Sequence, residues 1–258
     1  MTAPKDTYFS KSLEKGLRIL ALFNEQKRSM SQSEISESLG MNMTSTFRYV
    51  NTLVKLGYLG RDPATKQLRP GLQSMVLSSN LLRSGDAHQA IRSLVDAVHA
   101  EHGITIDVAL AIDGAMVTVY RREAQETLVY RLPIVSRAWH TTALGKAYLG
   151  HLPEKEMRAR VKQIKLTPKT PNTITSAKAF LEELKAVERD GFSRANEEFM
   201  PGLIAIGAPL FNRYTGQLKG SVSFDFATIQ FSIEEVEKKF SDVLKRLAHG
   251  LSEAITSI

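Results

Sequence analysis

Residues 31–50 read SQSEISESLGMNMTSTFRYV, and this stretch decides the architecture of the N-terminal region. It opens with the spacing of a capping box, in which the Ser31 hydroxyl accepts from the Glu34 amide while the Glu34 carboxylate reaches back. A helix is therefore predicted from here to Leu39, and Gly40 tolerates the positive φ that ends it. A second helical pattern follows at once. Two helices joined by a short glycine turn are typical of a helix-turn-helix.

The second of these helices is amphipathic. Its apolar residues are predicted to point inward: Met43, Phe47, Val50 and Leu53. Its start and its other face carry side chains that suit a DNA major groove: Asn42, Thr44, Ser45, Arg48, Tyr49, Thr52 and Lys55. Hydroxyls near a helix N-terminus can reach bases or phosphates, and Arg48 can make a bidentate contact to guanine. An ordinary solvated helix face has a similar composition, so this face does not decide the matter alone.

The flanking segments complete the motif. Residues 12–23, SLEKGLRILALF, have the periodicity of an amphipathic helix with Ser12 as its N-cap. Residues 57–69, GYLGRDPATKQLR, have the pattern of a β-hairpin whose turn region carries Arg61, Lys66 and Arg69. Such a wing can lie on the sugar-phosphate backbone. Residues 1–70 are therefore predicted to form a winged helix-turn-helix that binds double-stranded DNA.

The charge distribution agrees with this prediction. The chain has 258 residues and a net charge of +7, and residues 1–70 hold 11 Lys or Arg against 6 Asp or Glu. A basic module attached to a nearly neutral body is typical of nucleic-acid binding, although basic termini also serve solubility. With 43% hydrophobic and 24% charged residues the chain has a globular composition.

Residues 31–71, SQSEISESLGMNMTSTFRYVNTLVKLGYLGRDPATKQLRPG, resemble the N-terminal domain of the IclR family of bacterial transcriptional regulators. In that family a winged helix-turn-helix precedes an effector-binding domain. Where the family often has a proline and a basic residue, this chain has Asn42 and Met43. We therefore expect a frequent phosphate contact to be absent and Met43 to pack.

The region after the wing is predicted to be α+β. Two helices fit residues 71–102 and break near residues 84–86, and the first of them is predicted to link the domains. The resemblance implies that it helps to pair two DNA-binding domains, although its apolar residues can equally be buried within one subunit. Alternating segments predict strands at residues 104–111, 116–121, 127–132, 203–211 and 219–226. Helical patterns occupy residues 143–151, 154–165, 176–190 and 233–255. Hairpins on each side of a helical block predict an antiparallel sheet with flanking helices.

A second resemblance to the same family lies in this region. Residues 140–147, HTTALGKA, resemble the family's motif before a helix, and residues 197–224 resemble its closing strand pair. The implied fold for residues 85–258 is a GAF-like domain that binds an effector and mediates oligomerisation. The predicted organisation is thus a DNA-binding domain at 1–70, a linker helix at 71–84 and this third segment.

The motif is also physically suited to bind an anion. Thr141 and Thr142 precede a helix that starts near Ala143 and Leu144, where free amides and the helix dipole favour a carboxylate. The family's closing strands imply further ligand contacts at Ala205, Ile206, Ser221 and Ser223. The two serine hydroxyls can equally be satisfied by their strand neighbours. Trp139 is either a wall of the ligand site or a core or interface anchor. His140 is expected to hold the loop by a hydrogen bond.

The sequence offers little for catalysis. It has no cysteine, and the common nucleophile, phosphate-loop and zinc-helix motifs are absent, so no cofactor or metal is expected. We expect His99 and His102 to be surface residues and the pair Glu197 and Glu198 to lie in a solvated turn. Asp107, within an apolar strand pattern, is expected to form a structural ion pair.

Three functions remain to be weighed. The first and favoured one is a transcriptional regulator whose affinity for a DNA operator responds to a small organic effector, a carboxylic acid by preference. The second is a DNA-binding protein whose C-terminal domain only oligomerises. The third is an enzyme with an incidental helix-turn-helix. We expect a homodimer or a dimer of dimers on a pseudo-palindrome. Because neither a signal peptide nor a bilayer-spanning apolar run is evident, we expect a cytoplasmic protein without a membrane partner.

Overall fold

The computed structural model describes residues 8–24, 27–124 and 133–257. The chain divides into two compact units, Met1–Ser84 and Gly85–Ile258. The helix at Leu72–Ser84 falls in the first unit, and a separate linker segment at 71–84 stays a prediction. The strand predicted at residues 127–132 lies outside the described residues.

The first unit is a winged helix-turn-helix. Its elements are α1 (Lys11–Ala21), α2 (Gln32–Leu39), α3 (Met43–Lys55), the antiparallel strands β1 (Leu59–Arg61) and β2 (Leu68–Pro70), and α4 (Leu72–Ser84). The predicted capping box is present: the Ser31 amide donates to Glu34 Oε2 over 2.6 Å, and the Glu34 amide donates to Ser31 Oγ over 3.2 Å. Gly40 ends α2 with a φ of 59°.

The inward face of α3 differs from the sequence prediction. Its buried residues are Thr46, Val50 and Leu53, whereas Met43 and Phe47 are 48% and 49% exposed. Thr46 can be buried because its hydroxyl donates to the carbonyl of Asn42 in the preceding turn, which leaves only its methyl group to pack. The expectations that Met43 packs and that Phe47 points inward are therefore wrong.

A similar correction applies to α1. The N-cap lies two residues earlier than predicted, because Ser10 rather than Ser12 accepts the hydrogen bond from the Leu13 amide. Ile19 is its fully buried residue, whereas Leu13 and Leu17 are 63% and 57% exposed. Leu20 and Phe23, the other members of the predicted apolar stripe, are half-buried and pack against the core, so only part of that stripe lies on the surface of this unit.

The second unit contains a six-stranded sheet. After α5 (Asp86–His102) come β3 (Thr105–Ile112), β4 (Ala115–Arg122), β5 (Val135–Ser136), α6 (Ala143–Gly150), α7 (Glu154–Gln163), α8 (Ala177–Asp190), β6 (Ser193–Asn196), β7 (Leu203–Phe211), β8 (Leu218–Ala227) and α9 (Ile233–Ala254). The strand order is β5-β4-β3-β8-β7-β6, and every neighbouring pair is antiparallel. This confirms the predicted α+β class and the long hairpins, whereas β5 and β6 were not predicted.

Two apolar layers cover the two faces of this sheet. On one face α5 and α9 pack against the alternate strand residues that include Ile204, Ile206, Val222 and Phe224. On the other face α6, α7 and α8 form a second cluster around Phe180. Strand residues of opposite parity, such as Ala205 and Ser223, therefore point toward α6.

Neither a metal centre nor a membrane span is found in the described part of the chain. No group of three His, Cys, Asp or Glu side chains there is placed to hold a metal ion, and no helix there is long and apolar enough to cross a bilayer.

His99 and His102 are half-buried, which corrects the surface prediction. His99 Nδ1 lies 2.8 Å from the carbonyl of Ile104, and the ring of His102 packs edge-on against Phe240.

Candidate functional site

The start of α3 is organised by its N-cap. Asn42 Oδ1 accepts the amide hydrogen of Ser45 over 2.8 Å, so both residues take part in the cap. Asn42 remains exposed and Ser45 is half-buried. This cap holds the first turn of α3 at the surface, where a helix N-terminus favours an anion such as a phosphate.

Past the cap, the outer face of α3 presents polar and apolar side chains side by side. Thr44, Arg48 and Thr52 are exposed as predicted, and the Thr52 hydroxyl donates to the carbonyl of Arg48 over 2.9 Å. Met43 and Phe47 lie one turn apart beside Thr44 and Arg48 on this surface. The exposed surface of α3 thus contains the guanidinium group of one arginine, the side chains of two threonines and two apolar side chains.

Tyr49 is placed differently from the prediction. Its ring is half-buried against the core of the first unit, and its hydroxyl donates to Ser12 Oγ over 3.4 Å. The Lys15 ammonium lies 5.9 Å from the ring centroid. Tyr49 therefore joins α3 to α1, and the expectation that its side chain belongs to the outward face is corrected.

The wing is held by local hydrogen bonds. Asp62 Oδ1 accepts from the amides of Ala64 and Thr65, and Lys66, with a φ of 61°, donates from Nζ to the carbonyl of Pro63 over 2.7 Å. Arg61 donates to Asn51 Oδ1 over 2.9 Å, which ties β1 to α3. All three predicted cations of the wing, Arg61, Lys66 and Arg69, are exposed.

In the second unit, the predicted motif forms the N-terminus of α6. Thr142 is the N-cap: its hydroxyl accepts from the Gly145 amide over 3.1 Å and donates to the carbonyl of Ala138 over 3.0 Å. Thr141 is fully buried, yet its hydroxyl has no hydrogen-bond partner among the described residues. A helix also leaves its first amides, here those of Ala143 and Leu144, without intrahelical acceptors.

A small cavity lies at this helix terminus. The space between its walls amounts to about 310 Å³ with the adjoining open solvent included, and only about 20 Å³ of it admits the centre of a water-sized sphere. It is lined by Thr141, Thr142, Ala143, Leu144, Ala195, Phe199, Leu203, Ala205, Ser223 and Asp225. Six of the residues predicted from the sequence line it: Thr141, Thr142, Ala143, Leu144, Ala205 and Ser223. Its walls are mostly apolar, and its polar groups are three hydroxyls and one carboxyl group.

Three predicted ligand contacts do not line the cavity. Ile206 is fully buried on the opposite face of the sheet, because successive strand residues alternate in direction. Ser221 donates its hydroxyl to the carbonyl of Leu144 over 2.8 Å and so joins β8 to α6. Trp139 packs in the core under α6 with its ring 5.6 Å from that of Tyr148. Trp139 is thus the core anchor of the two alternatives considered.

Four lining residues were not predicted. Ala195, Phe199, Leu203 and Asp225 come from β6, the following turn, β7 and β8. Asp225 had a signal that the prediction did not use, because residues 221, 223 and 225 share one face of β8. For Phe199 and Ala195 no such periodicity existed.

Behind the motif, two buried groups fix its position. His140 Nε2 donates to the carbonyl of Thr167 over 3.1 Å, and burial lowers the pKa of His140, which keeps the ring neutral. This is the loop-holding hydrogen bond that the sequence led us to expect.

The Lys146 ammonium is fully buried and donates to Glu198 Oε1 over 2.6 Å, to Glu183 Oε1 and to the Arg194 carbonyl. Glu198 is only 7% exposed, so the solvated turn expected for it is wrong.

The cavity carboxyl group belongs to a buried ionic network. Asp107 is fully buried and its Oδ2 lies 2.6 Å from the Arg121 guanidinium. The expected structural ion pair is therefore present, formed with Arg121. Burial raises the pKa of both Asp107 and Asp225, and Arg121 opposes this shift most strongly at Asp107. The rise is larger at Asp225, where the charge of Asp107 adds to the effect of burial.

A winged helix-turn-helix and a separate sheet domain with a small cavity define the class, a DNA-binding transcriptional regulator. A family model for the IclR helix-turn-helix domain matches residues 12–63, and a model described as bacterial transcriptional regulator IclR C-terminal matches residues 79–253. The chain belongs to the IclR family of bacterial transcriptional regulators. No enzyme family is indicated by these matches.

Individual relatives agree with this assignment. The p-hydroxybenzoate hydroxylase transcriptional activator of Acinetobacter baylyi is 29% identical over 206 residues, which span 78% of this chain and 75% of the activator. The crystal structure of Thermotoga maritima IclR is 28% identical, with a TM-score of 0.67, and the match covers 95% of this chain and 98% of that one. An IclR homologue from Microbacterium hydrocarbonoxydans, crystallised with 4-hydroxybenzoate, has the same fold at 21% identity, with a TM-score of 0.73 over 96% of this chain and 100% of that one.

Proposed function

We propose that this regulator reads an operator with α3 and the wing, and that a small organic acid bound in the α6 cavity sets its affinity for that operator. The observation that carries the sensing half is the cavity itself, with the fully buried, unpartnered Thr141 hydroxyl in its wall. A buried polar group without a partner costs free energy, and a ligand that bonds it recovers that cost.

On the DNA side, Thr44 and Arg48 are the proposed base-reading residues. Both are exposed on α3, and a guanidinium there can bond guanine in the major groove. Met43 and Phe47 stand beside them and offer apolar contacts of the kind that thymine methyl groups accept. Asn42, Ser45 and Thr52 are proposed to support this surface through backbone and phosphate contacts.

The wing cations are proposed to contact phosphates. Arg61, Lys66 and Arg69 are exposed on the hairpin, and its turn is fixed by the Asp62 side chain. Contacts to phosphates position a protein on DNA and add affinity without reading sequence. They also make binding salt-dependent.

On the ligand side, the N-terminus of α6 is the proposed carboxylate site. The amides of Ala143 and Leu144, the helix dipole and the Thr141 hydroxyl converge on the cavity, and all favour a negative oxygen. Two relatives support an organic acid. One is named as the transcriptional activator of p-hydroxybenzoate hydroxylase, and another was crystallised with 4-hydroxybenzoate.

The protein is also proposed to act as a homodimer or a dimer of dimers. Leu13 and Leu17 on α1, and Leu72 and Met75 on α4, are more than half exposed, which is unusual for large apolar side chains on one small unit. A second copy that covers them would pair two DNA-binding units, as a palindromic operator requires.

A thermal-shift screen of organic acids tests the sensing half. A ligand of the folded protein should raise the melting temperature by mass action, and the Ala205→Leu variant, whose larger side chain fills the cavity, should lose that shift. Ile229→Ala, at an exposed position, is the control and should keep the shift. If no acid raised the melting temperature, or if Ala205→Leu responded like the parent protein, a second unit that only oligomerises would be favoured.

A further inference from the structure

The α6 cavity is too small for an organic acid as it stands. Only about 20 Å³ of it admits the centre of a water-sized sphere, which is the room that a single water molecule needs. Every organic acid is larger than water, so a wall of the cavity has to move before the proposed ligand can enter. Because protein interiors are close-packed, the residue that moves at the lowest cost decides how far the cavity opens.

Phe199 is the lining residue that is best placed to move. The other lining residues are all buried, at 9% exposure or less, whereas the Phe199 side chain is half-buried. Those residues lie in α6, directly before it, or in the strands β6, β7 and β8, while Phe199 lies in the turn between β6 and β7. A half-buried side chain changes its rotamer more easily than a strand or a helix shifts.

The backbone around Phe199 is fixed, so the movement belongs to its side chain. The carbonyl of the preceding residue, Glu198, accepts the hydroxyl hydrogen of Thr173 over 2.8 Å. The Gly202 amide donates to Glu197 Oε2 over 2.7 Å, which closes the turn around Phe199. The turn therefore carries the aromatic ring on a rigid base.

The ring is held in its present position by a cation. The Lys169 ammonium lies 3.8 Å from the centroid of the Phe199 ring, and the Lys169 side chain is otherwise exposed. The Thr173 hydroxyl accepts from the Lys169 amide over 3.1 Å and donates to the Glu198 carbonyl, so one side chain positions both partners. A cation–π contact at an exposed site is weak. It sets the resting position of the ring without preventing the ring from rotating.

We propose that Phe199 is the movable wall of the effector site, and that the space its ring can vacate sets the upper limit on the size of the organic acid. This inference rests on the proposed function and adds a size limit to its ligand class. An acid that needs more room than the ring can vacate would collide with helix or strand residues that are buried. Removal of the ring should therefore admit larger acids to the same carboxylate site.

A series of acids of increasing size and three variants test this role. Calorimetry would give the dissociation constants of the full-length protein for acetate, propanoate, benzoate, 2-naphthoate and biphenyl-4-carboxylate. Phe199→Ala removes the ring, and Phe199→Leu retains part of its bulk and decides the matter if the alanine variant does not fold. Met200→Ala is the matched control, because it shortens an apolar side chain of the same turn that does not line the cavity. Circular dichroism melts check that each variant is folded.

The size limit is the first acid of the series that binds the parent protein at least about tenfold more weakly than the next smaller acid. Phe199→Ala should bind that acid about tenfold or more tightly than the parent does, Phe199→Leu should fall between them, and Met200→Ala should match the parent. A parent protein without a size limit, an unchanged limit in both Phe199 variants, or an equal change in Met200→Ala would overturn the role of Phe199 and leave acid sensing intact. Failure of all five acids to bind the parent at about 10 mM would instead overturn the proposed carboxylate site, and this inference with it.

Discussion

At the scale of single residues, a substitution of the fully buried Thr141 should have opposite effects on the stability of the fold and on ligand binding. An unpartnered buried hydroxyl lowers stability, and a ligand that bonds it would recover that cost. We expect Thr141→Val to be as stable as the parent, or up to about 1 kcal/mol more stable, and to bind organic acids more weakly. Urea unfolding and calorimetry measure the two effects.

Thr173 provides the matched control for that prediction. It is 8% exposed, and its hydroxyl accepts from the amides of Lys169 and Thr170 and donates to the carbonyl of Glu198. Thr173→Val should therefore lose about 1–3 kcal/mol of stability. If both variants lost stability alike, the Thr141 hydroxyl would have a structural partner and no need of a ligand.

Asp225 predicts a distinct dependence of stability on pH. Burial and the charge of Asp107 raise the pKa of Asp225 well above its ordinary value, whereas Arg121 opposes the shift. Its contribution to stability is therefore complete below about pH 4, the pKa of an unfolded aspartate, and is lost as the pH rises through the folded-state pKa. Asp225→Asn cannot ionise, so its stability relative to the parent should increase with pH above about 4. Urea unfolding from pH 4 to 8 would measure this, and a constant difference would contradict it.

The residue scale is also where sequence reasoning reached its limit. Thr141 and Thr142 were predicted because the start of a helix has a chemical signature within a few residues. Ile206 was assigned to the wrong face because the residues of a strand alternate, and a motif match does not fix their direction. Phe199 reaches the cavity from a turn more than fifty residues away, and only the folded chain brings it to α6.

At the scale of elements, the two DNA-facing parts of the first unit should differ in what they contribute. Arg48→Ala should weaken binding to the operator by about 1–3 kcal/mol and weaken binding to random DNA less, because it removes a contact to a base. Lys66→Ala should weaken both alike and reduce the salt dependence, because its contact is to a phosphate. Fluorescence anisotropy on promoter DNA from upstream of its own gene, with scrambled DNA as the control, measures the six affinities of the parent and both variants for the two DNAs. Equal losses on the two DNAs for Arg48→Ala would remove its base-reading role.

Elements were predicted well where their ends carry side-chain signals. The capping box of Ser31 and Glu34 and the glycine at position 40, which ends α2, have local chemistry that specifies the backbone. The inward faces of α1 and α3 were predicted only in part, because periodicity identifies an apolar stripe without identifying what covers it. Leu20, Phe23, Val50 and Leu53 pack inward, whereas Leu13, Leu17, Met43 and Phe47 are exposed. The strands β5 and β6 have only two and four residues and no apolar alternation, so no pattern in the sequence predicted them.

At the scale of the whole molecule, the proposed assembly makes the exposed face of α1 testable. Leu17 is 57% exposed, so Leu17→Glu should fold normally but weaken the dimer and, with it, binding to a palindromic operator. Lys11→Glu changes the charge of the same helix at an exposed polar position and should leave the dimer intact. Sedimentation velocity measures the oligomeric state. A dimer that is unchanged in Leu17→Glu, or a parent protein that is monomeric, would contradict the proposed pairing.

The coupling of ligand to DNA is the property that the sequence predicted only through resemblance. A ligand shifts operator affinity only as far as it binds the DNA-competent and incompetent arrangements unequally. Neither the polar face of α3 nor the chemistry of the cavity specifies that difference, since each belongs to a separate unit of the chain.

The most direct test of the account is therefore the operator affinity of the full-length protein at one salt concentration, with and without the acid that raises its melting temperature most. We predict that the acid changes the dissociation constant for the operator by about fivefold or more in the parent protein and far less in Thr141→Val. An unchanged operator affinity in the parent protein, at an acid concentration where calorimetry shows the cavity site filled, would contradict the claim that the ligand controls DNA binding.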